Sequence, residues 1–237
     1  MRFTALIVDD EMHAREEMSA LLEESGMVEV VGSCGNAIEA LKLINRLKPN
    51  VLFLDIQMPV MDGFELLNMI SPENMPHVVF VTAYDQYTLK AFEEKTLDYL
   101  LKPVEVGRLA KTLTKLQRTL GETHPSAYPA REISRIPCLL GNRIRLLSIE
   151  EVEYVSTGQA GVHVATEDFE FFTEVTLKTL EERTPLLRCH KQYLTNIDAI
   201  KEIVLLEGGV ARIETKSGKH VPVSRRYLKR MKKRLLL

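Results

Sequence analysis

The chain has 237 residues, of which 45% are hydrophobic and 27% charged, the composition of a globular protein with one large or two small domains. This apolar content excludes a largely disordered chain, and no unbroken apolar run approaches the ~18 residues that would span a bilayer. Three widely spaced cysteines, at 34, 138 and 189, exclude a disulfide framework and a cysteine zinc site. Because the first residues also lack a signal-peptide pattern, we expect a cytoplasmic protein with no membrane insertion.

Charge is divided unevenly between the two halves. Residues 1–120 carry a net charge of −6, and residues 121–237 carry a net charge of +4. Seven of the ten residues from 225 to 234 are Lys or Arg. An acidic half followed by a half with a basic end indicates two domains, of which the second either binds a polyanion or presents a solvated basic helix.

The first half alternates between short apolar runs and amphipathic segments. This alternation predicts an α/β domain with a doubly wound, five-stranded parallel sheet that is covered on both faces. The expected strands are 5–8, 28–31, 51–54, 78–81 and 99–101. The expected helices are 14–24, 37–47, 63–70, 85–94 and 105–119.

The second half has short strand-like runs instead. Residues 121–135 combine Gly, Pro and Ser with little apolar periodicity, so we expect domains at 1–119 and 135–237 joined by a linker at 120–134. The turn signals Gly141-Asn142, Gly208-Gly209 and Ser217-Gly218 favour hairpins. The pattern predicts a mostly antiparallel β domain with a helix at 177–182 and a basic helix at 224–234.

Polar side chains stand at the carboxyl ends of four predicted parallel strands, where sites of open α/β sheets form. Asp9 and Asp10 follow the first strand, and Asp55 follows the third. Clustered carboxylates require a cation and, as hard oxygen ligands, favour Mg²⁺. Thr82 and Lys102 add a hydroxyl and a positive charge. The set predicts a phosphoryl-transfer site with Asp55 as the nucleophile.

A phosphatase of the haloacid dehalogenase type also uses an aspartate at a strand end. Such an enzyme needs a second aspartate two residues later as its general acid, and this chain has Gln57 there. Glutamine cannot donate a proton to a leaving group in that way. We therefore expect a phosphoacceptor and not an enzyme that turns over a separate substrate.

The first half resembles the receiver domain of bacterial response regulators over roughly residues 2–118. The matching segments are ALIVDDE (5–11), LFLDIQMPVMDGFELL (52–67), VVFVTAY (78–84) and DYLLKP (98–103). The resemblance implies that a sensor histidine kinase transfers a phosphoryl group to Asp55. It further implies Mg²⁺ ligation by Asp9, Asp10, Asp55 and the backbone carbonyl of Gln57, phosphoryl contacts from Thr82 and Lys102, and a conformational switch at Thr82 and Tyr99.

The second half carries no esterase elbow, zinc hydrolase motif or P-loop, which argues against an enzymatic output. Its β-rich pattern also fits a helix-turn-helix domain poorly. The segment LLRCHKQYLTNIDAI (186–200) clusters cationic residues beside a strand, either to bind a ligand or to protect a sheet edge.

This segment resembles the LytTR DNA-binding domain, and the likeness extends over about residues 134–237. Glu153-Tyr154-Val155, the helix at 177–182 and VPVSRRYLKRM (221–231) match in order, whereas Gln192 stands where the family often has Ser. The family places loops in the major grooves of DNA. The corresponding segments here are the loop Thr157–His163 and the turns Arg188–Lys191 and Ser224–Arg226. The implied DNA-binding residues are His163, Arg188, His190, Lys191, Arg225 and Arg226, and the two C-terminal arginines are the best candidates for base edges.

Both resemblances together predict a phosphorylation-controlled transcriptional regulator. Phosphorylation is expected to promote a homodimer, which would bind two half-sites repeated in promoter DNA. The alternative is a response regulator whose β-rich output binds protein or RNA. Salt-dependent, sequence-selective binding to duplex DNA distinguishes the two.

Overall fold

The computed structural model describes residues 2–83, 97–119, 132–141 and 143–235. The chain divides into two compact units, Met1–Ala130 and Arg131–Leu237, each of which is described by itself. Most of the expected linker and the expected helix at 85–94 lie outside the described residues.

The first unit is a parallel sheet covered by helices. Its strands are β1 (Phe3–Val8), β2 (Val28–Cys34), β3 (Val51–Leu54), β4 (His77–Thr82) and β5 (Asp98–Leu101). They lie in the order β2-β1-β3-β4-β5, and all four neighbouring pairs are parallel. The described helices are α1 (Met12–Glu24), α2 (Ala37–Leu47), α3 (Gly63–Met69) and α4 (Val106–Thr119). The predicted α/β fold is confirmed.

Continuous apolar strands suit a sheet that is buried on both faces. On one face, Ala5 and Ile7 of β1 pack in a cluster with Met18 and Leu22 of α1 and with leucines of α4. Their neighbours in sequence point the other way because side chains alternate along a strand. Leu6 accordingly lies near leucines of α2 on the opposite face.

The loop after β3 brings α3 close to the strand end. A Cβ atom at Gly63 would lie 2.6 Å from the carbonyl oxygen of Asp55, so only glycine fits there. Asp62 and Glu65 then form a capping box that starts α3. In the loop between Asp55 and Gly63, Val60 has a φ of +72° and is 59% exposed. A β-branched residue is strained in this left-handed conformation.

The second unit contains two antiparallel sheets. A seven-stranded sheet has the order β11-β12-β8-β9-β10-β6-β7, and a three-stranded sheet has the order β13-β14-β15. The strands are β6 (Arg135–Leu140), β7 (Arg143–Ser148), β8 (Tyr154–Gly158), β9 (Gly161–Ala165), β10 (Glu170–Thr173), β11 (Leu187–His190), β12 (Tyr193–Thr195), β13 (Ile200–Leu205), β14 (Ala211–Thr215) and β15 (His220–Val223). The helices are α5 (Leu177–Arg183) and α6 (Arg225–Leu235).

A buried glutamate joins the two sheets. Glu153, only 6% exposed, accepts hydrogen bonds from the Thr215 hydroxyl at 3.0 Å and from the Ser217 backbone N–H at 3.0 Å. Buried carboxylates are tolerated when they are hydrogen-bonded in this way. The bonds hold the end of β14 against the start of β8. This role accounts for a buried charged residue directly before β8.

Three sequence-based expectations in this unit are wrong in detail. The expected turn Arg188–Lys191 is mostly strand, because β11 extends to His190 and only Lys191 and Gln192 lie between β11 and β12. Most of the expected loop Thr157–His163 belongs to the β8–β9 hairpin, with only Gln159 and Ala160 in the turn. The hairpin forms because Gly158 pairs with Gly161, which has a φ of +99°. The expected turn Ser224–Arg226 is mostly helical, since α6 begins at Arg225.

Replacing Val60 should stabilise the first unit. We expect Val60→Asn to raise its free energy of unfolding by about 1 kcal/mol, because asparagine tolerates a positive φ and little packing is lost. Val106, which is 66% exposed at the start of α4, provides the control. Val106→Asn should stay within about 0.5 kcal/mol of wild type. Urea unfolding of the full chain measures both, and equal stability of the two variants would contradict the strain at Val60.

Candidate functional site

The expected polar residues meet at one edge of the parallel sheet. Asp9 and Asp55 directly follow β1 and β3, which are adjacent in the sheet. Thr82 ends β4 and is 1% exposed, and its carbonyl accepts the Lys102 backbone N–H at 2.9 Å. Four residues that lie far apart in sequence therefore converge, as the pattern of strand ends predicts.

A single lysine connects two of the buried carboxylates. Lys102 Nζ lies 2.7 Å from Asp9 Oδ2 and 2.8 Å from Asp55 Oδ2. The other oxygens of these aspartates accept backbone N–H groups, from Glu11 at 3.0 Å and from Gln57 at 3.2 Å. Each carboxylate is thus oriented from both sides. Asp55 presents its side chain to a cleft of about 670 Å³ that Asp10 and Lys102 also line.

Burial and neighbouring charge have opposite effects on the pKa values of Asp9 and Lys102. Burial raises the pKa of Asp9, and its hydrogen bond to Lys102 only partly compensates. Burial alone would lower the pKa of Lys102, but its hydrogen bonds to Asp55 and Asp9 outweigh that effect and raise it. Lys102 is therefore protonated at neutral pH and supplies the fixed positive charge of the site.

The acidic cluster suits a hard divalent cation. Asp9, Asp10 and Asp55 each offer an oxygen, and the three oxygens lie within 4.8 Å of one another. Asp10 is exposed, whereas the other two are buried. Oxygen ligands with one open side are typical of Mg²⁺ sites, in which the ion keeps several waters. The residues present fit the expected ion.

Arg15 of α1 holds the backbone beneath the acidic pair. Its Nη1 donates to the carbonyl of Asp9 at 2.6 Å and to that of Asp10 at 3.1 Å. A Cβ atom at Gly35 would lie 3.2 Å from the same nitrogen. The sequence gives no signal for this role, because Arg15 is an ordinary polar residue of an amphipathic helix and its partners are carbonyls.

Tyr99, the expected switch residue, is half-buried beneath an arginine. The guanidinium of Arg108 lies over its ring, 5.6 Å from the centroid, and donates to its carbonyl at 2.9 Å. Arg108 also forms a two-pronged ion pair with Asp98, which accepts a further bond from the Thr112 hydroxyl. Burial would raise the pKa of Asp98, but the bonds from Arg108 and Thr112 outweigh it and lower that pKa. The position of Tyr99 is thus coupled to α4.

In the second unit, the elements expected at DNA lie side by side. The Ser224 N–H, at the start of α6, donates to the Cys189 carbonyl in β11 at 3.1 Å. The Thr157 N–H, near the end of β8, donates to the Gln192 carbonyl at 2.9 Å. The structure adds the Gly208-Gly209 turn, where a Cβ at Gly208 would lie 3.2 Å from Arg225 Nη2. The sequence shows this turn only as a hairpin signal.

The expected DNA-binding side chains differ in accessibility. Lys191, Arg225 and Arg226 are exposed. Arg188 is bonded within the chain, since its guanidinium donates to two backbone carbonyls and to Glu181. His163 packs edge-on against Phe172, with 5.7 Å between the ring centroids, and is half-buried.

His190 is neutral at physiological pH. Burial lowers its pKa, and the charges of Lys191 and Arg188 lower it further. Its Nδ1 accepts the Gln192 backbone N–H at 3.2 Å. In the neutral ring the proton then resides on Nε2, which makes that nitrogen a hydrogen-bond donor.

Lys191 lies at one end of the paired strands β8 and β12, and acidic residues lie at their other end. They line a cleft of about 440 Å³ formed in part by residues that precede β8 and follow β12. Its acidic lining residues are Glu150, Glu151, Glu153, Glu167, Asp168 and Asp198. This separation of charge favours a polyanion at the basic end only.

Known proteins match both units. Residues 5–114 match the response regulator receiver domain, and residues 142–236 match the LytTr DNA-binding domain. An uncharacterized response regulatory protein of Vibrio cholerae is 55% identical over 98% of both chains. The transcriptional regulatory protein BtsR of Escherichia coli is 48% identical over 96% of both. The solved REC domain of AraT, a response regulator from Geobacillus stearothermophilus, is 35% identical with a TM-score of 0.45, covering 52% of this chain and 98% of its own.

Among the described residues, no helix is both long and apolar enough to cross a membrane.

Removing the charge of Lys102 should destabilise the first unit when no metal ion is bound. We expect Lys102→Met to lower the free energy of unfolding in chelator by about 2 kcal/mol, because two buried carboxylates lose their cation and the site is partly open to solvent. Added Mg²⁺ should restore much of this lost stability. The stabilisation by Mg²⁺ should therefore be larger in Lys102→Met than in wild type. Unfolding in urea with chelator or Mg²⁺ measures both effects.

The control for this variant is Lys111→Met, on the exposed side of α4. It should change stability by less than about 0.5 kcal/mol in either condition. If Lys102→Met matched this control in chelator, Lys102 would not be the counter-ion of the acidic cluster.

Proposed function

The chain belongs to the response regulators that join a receiver domain to a LytTR DNA-binding domain, and from this premise we propose that phosphoryl transfer to Asp55 controls how it binds DNA. It is a DNA-binding regulator of a two-component system. The observation that carries the proposal is the contact of Lys102 with both Asp9 and Asp55 at the edge of the sheet.

Asp55 has the environment of a phosphoacceptor. One carboxylate oxygen attacks the phosphorus of a phosphohistidine on the sensor kinase. The bond from phosphorus to the histidine nitrogen breaks, and the histidine leaves as a neutral imidazole because its other ring nitrogen takes up a proton from water. Lys102 stabilises the charge on the phosphoryl oxygens, and the Thr82 hydroxyl donates a hydrogen bond to one of them. The phosphoryl group stays on the chain, which is why we class this protein as a phosphoacceptor and not as an enzyme.

Mg²⁺ is the proposed cofactor. Asp9, Asp10, Asp55 and the backbone carbonyl of Gln57 would hold it. When bound, the ion neutralises negative charge that accumulates on the phosphoryl oxygens. Arg15 keeps the backbone of the acidic pair in place for this purpose.

The path from Asp55 to the output runs through Thr82 and Tyr99. A phosphoryl group on Asp55 draws the Thr82 hydroxyl toward it, and Tyr99 moves into the space that is left. This movement disturbs the contact of Tyr99 with Arg108, and therefore the surface of α4. Packed surfaces respond to small shifts by switching between discrete arrangements. The new surface favours a homodimer, which pairs two output domains on repeated half-sites of duplex DNA.

The output domain contacts DNA with the basic end of its sheets. Arg225 and Arg226 read base edges from the first turn of α6, with Lys191 beside them. Lys229, Lys232 and Lys233, further along α6, contact phosphates. His190 contributes its Nε2–H, whereas His163 lies in a strand and contributes least.

The phosphoacceptor assignment predicts the behaviour of an isosteric variant. Asp55→Asn should take up no phosphoryl group from acetyl phosphate and Mg²⁺, because an amide is a poor nucleophile. Asp62→Asn is the matched control, since it removes a carboxylate from the same cleft while asparagine still caps α3. Intact-protein mass measures both. Full labelling of Asp55→Asn, or loss of labelling in the control alone, would contradict the assignment.

The DNA assignment predicts two different losses. Arg226→Ala should weaken binding to a duplex selected from a random pool by about 1–3 kcal/mol, and far less to a scrambled duplex. Lys229→Ala should weaken binding to both and reduce the slope of log K against log salt by ~0.9. Lys216→Ala, at the acidic cleft, removes the same charge and serves as the control. Equal losses in all three variants would indicate a nonspecific charge effect and contradict the assignment.

A further inference from the structure

Arg188 is bonded entirely within its own unit on the side of the expected DNA contacts. Its Nε donates to the His190 carbonyl at 2.8 Å, and its Nη2 donates to the Lys191 carbonyl at 2.6 Å. Its Nη1 lies 3.0 Å from Glu181 Oε2 on α5. The Arg188 side chain is 17% exposed. All three nitrogens of the guanidinium are therefore engaged by groups of the chain itself.

One carbonyl belongs to His190, the last residue of β11, and the other to Lys191 in the turn before β12. A bulge between Arg188 and His190 interrupts the pairing of these strands, so ladder bonds alone do not define the turn. The planar guanidinium holds both carbonyls in one fixed direction. It thereby sets the backbone that carries the exposed Lys191. The Gln192 N–H bonded to His190 Nδ1 completes the turn.

The charge of Arg188 is also neutralised within the unit. Glu181 pairs with it, so the two side chains together add no net charge to the basic end. A residue that displaces counterions from DNA must bring uncompensated positive charge to a phosphate. Lys191, which is exposed, has the accessibility for such a contact. Arg188 instead lies where it can orient the backbone that carries Lys191.

We propose that Arg188 is a positioning residue for DNA binding, which shapes the β11–β12 turn through the carbonyls of His190 and Lys191 and makes no DNA contact itself. This inference rests on the proposed function, in which that turn faces DNA. It differs from the expectation that Arg188 is one of the DNA-binding side chains.

Glutamine separates the two roles. In Arg188→Gln, the amide nitrogen occupies the same place along the side chain as Nε, so it can still donate to the His190 carbonyl. The positive charge is lost, as it also is in Arg188→Met, which retains no donor. If the role is to hold carbonyls, glutamine preserves part of it. If the role is to contact phosphate, glutamine and methionine fail equally.

The experiment uses the full chain and two duplexes. One duplex is selected by the wild-type chain from a random-sequence pool, and the other has the same composition in scrambled order. Dissociation constants are measured over a range of salt concentrations for wild type, Arg188→Met, Arg188→Gln and the control Arg145→Met. Arg145 is likewise ion-paired, with Glu151 at 3.0 Å, but it lies at the acidic cleft. Stoichiometric titration corrects each preparation for its active fraction, so that partial unfolding does not count as weak binding.

Arg188→Met should weaken binding to the selected duplex about tenfold and change binding to the scrambled duplex less than about twofold. The slope of log K against log salt should stay that of wild type. Arg188→Gln should bind with intermediate affinity, and Arg145→Met should bind like wild type.

Three results would overturn the inference. The first is a salt slope of Arg188→Met that is smaller than that of wild type by ~0.9, which would indicate a lost phosphate contact. The second is equal affinity of the glutamine and methionine variants, and the third is wild-type affinity of Arg188→Met. A wild-type chain without salt-dependent, sequence-selective binding would overturn the proposed function, and this inference with it.

Discussion

Repulsion between carboxylates that the fold forces together is the constraint on which the first unit depends. Asp9 and Asp55 directly follow adjacent strands and are buried, so water screens them only weakly, and Lys102 lies within 2.8 Å of both. Any change in charge at Asp55 therefore acts on Lys102, which directly follows β5. Tyr99 lies three residues earlier on the same strand, held by Arg108. The strand that neutralises the site is thus also the strand that carries the proposed switch.

The second unit separates its charges instead of bringing like charges together. The exposed Lys191, Arg225 and Arg226 lie at one end, and six carboxylates line a cleft at the other ends of β8 and β12. Such a distribution steers a polyanion to one end and repels it from the other. Backbone hydrogen bonds join the segments at the basic end, including the one from Ser224 to Cys189. Rigid placement matters there because base edges are read only by donors that arrive in register.

The sequence predicts those features that depend on local patterns. Strands, helices and the convergence of Asp9, Asp55 and Lys102 follow from apolar periodicity and the rule for strand ends. The roles of Arg15 and Arg108 do not follow, because helical arginines look solvated until their partners are known. Glu153 is another such case, since nothing in sequence distinguishes a buried, bonded carboxylate from an exposed one. The β8–β9 hairpin resembles a loop in sequence because its strand ends are polar and rich in glycine.

Control of DNA binding by phosphorylation at Asp55 is the central proposal for this protein. The most direct measurement is the dissociation constant of the full chain for its selected duplex, before and after acetyl phosphate and Mg²⁺, with phosphoryl content measured by mass on the same samples. The account predicts that binding tightens in proportion to the phosphorylated fraction, by ~10²–10⁴ if two output domains engage together. An unchanged dissociation constant for fully phosphorylated protein would contradict it.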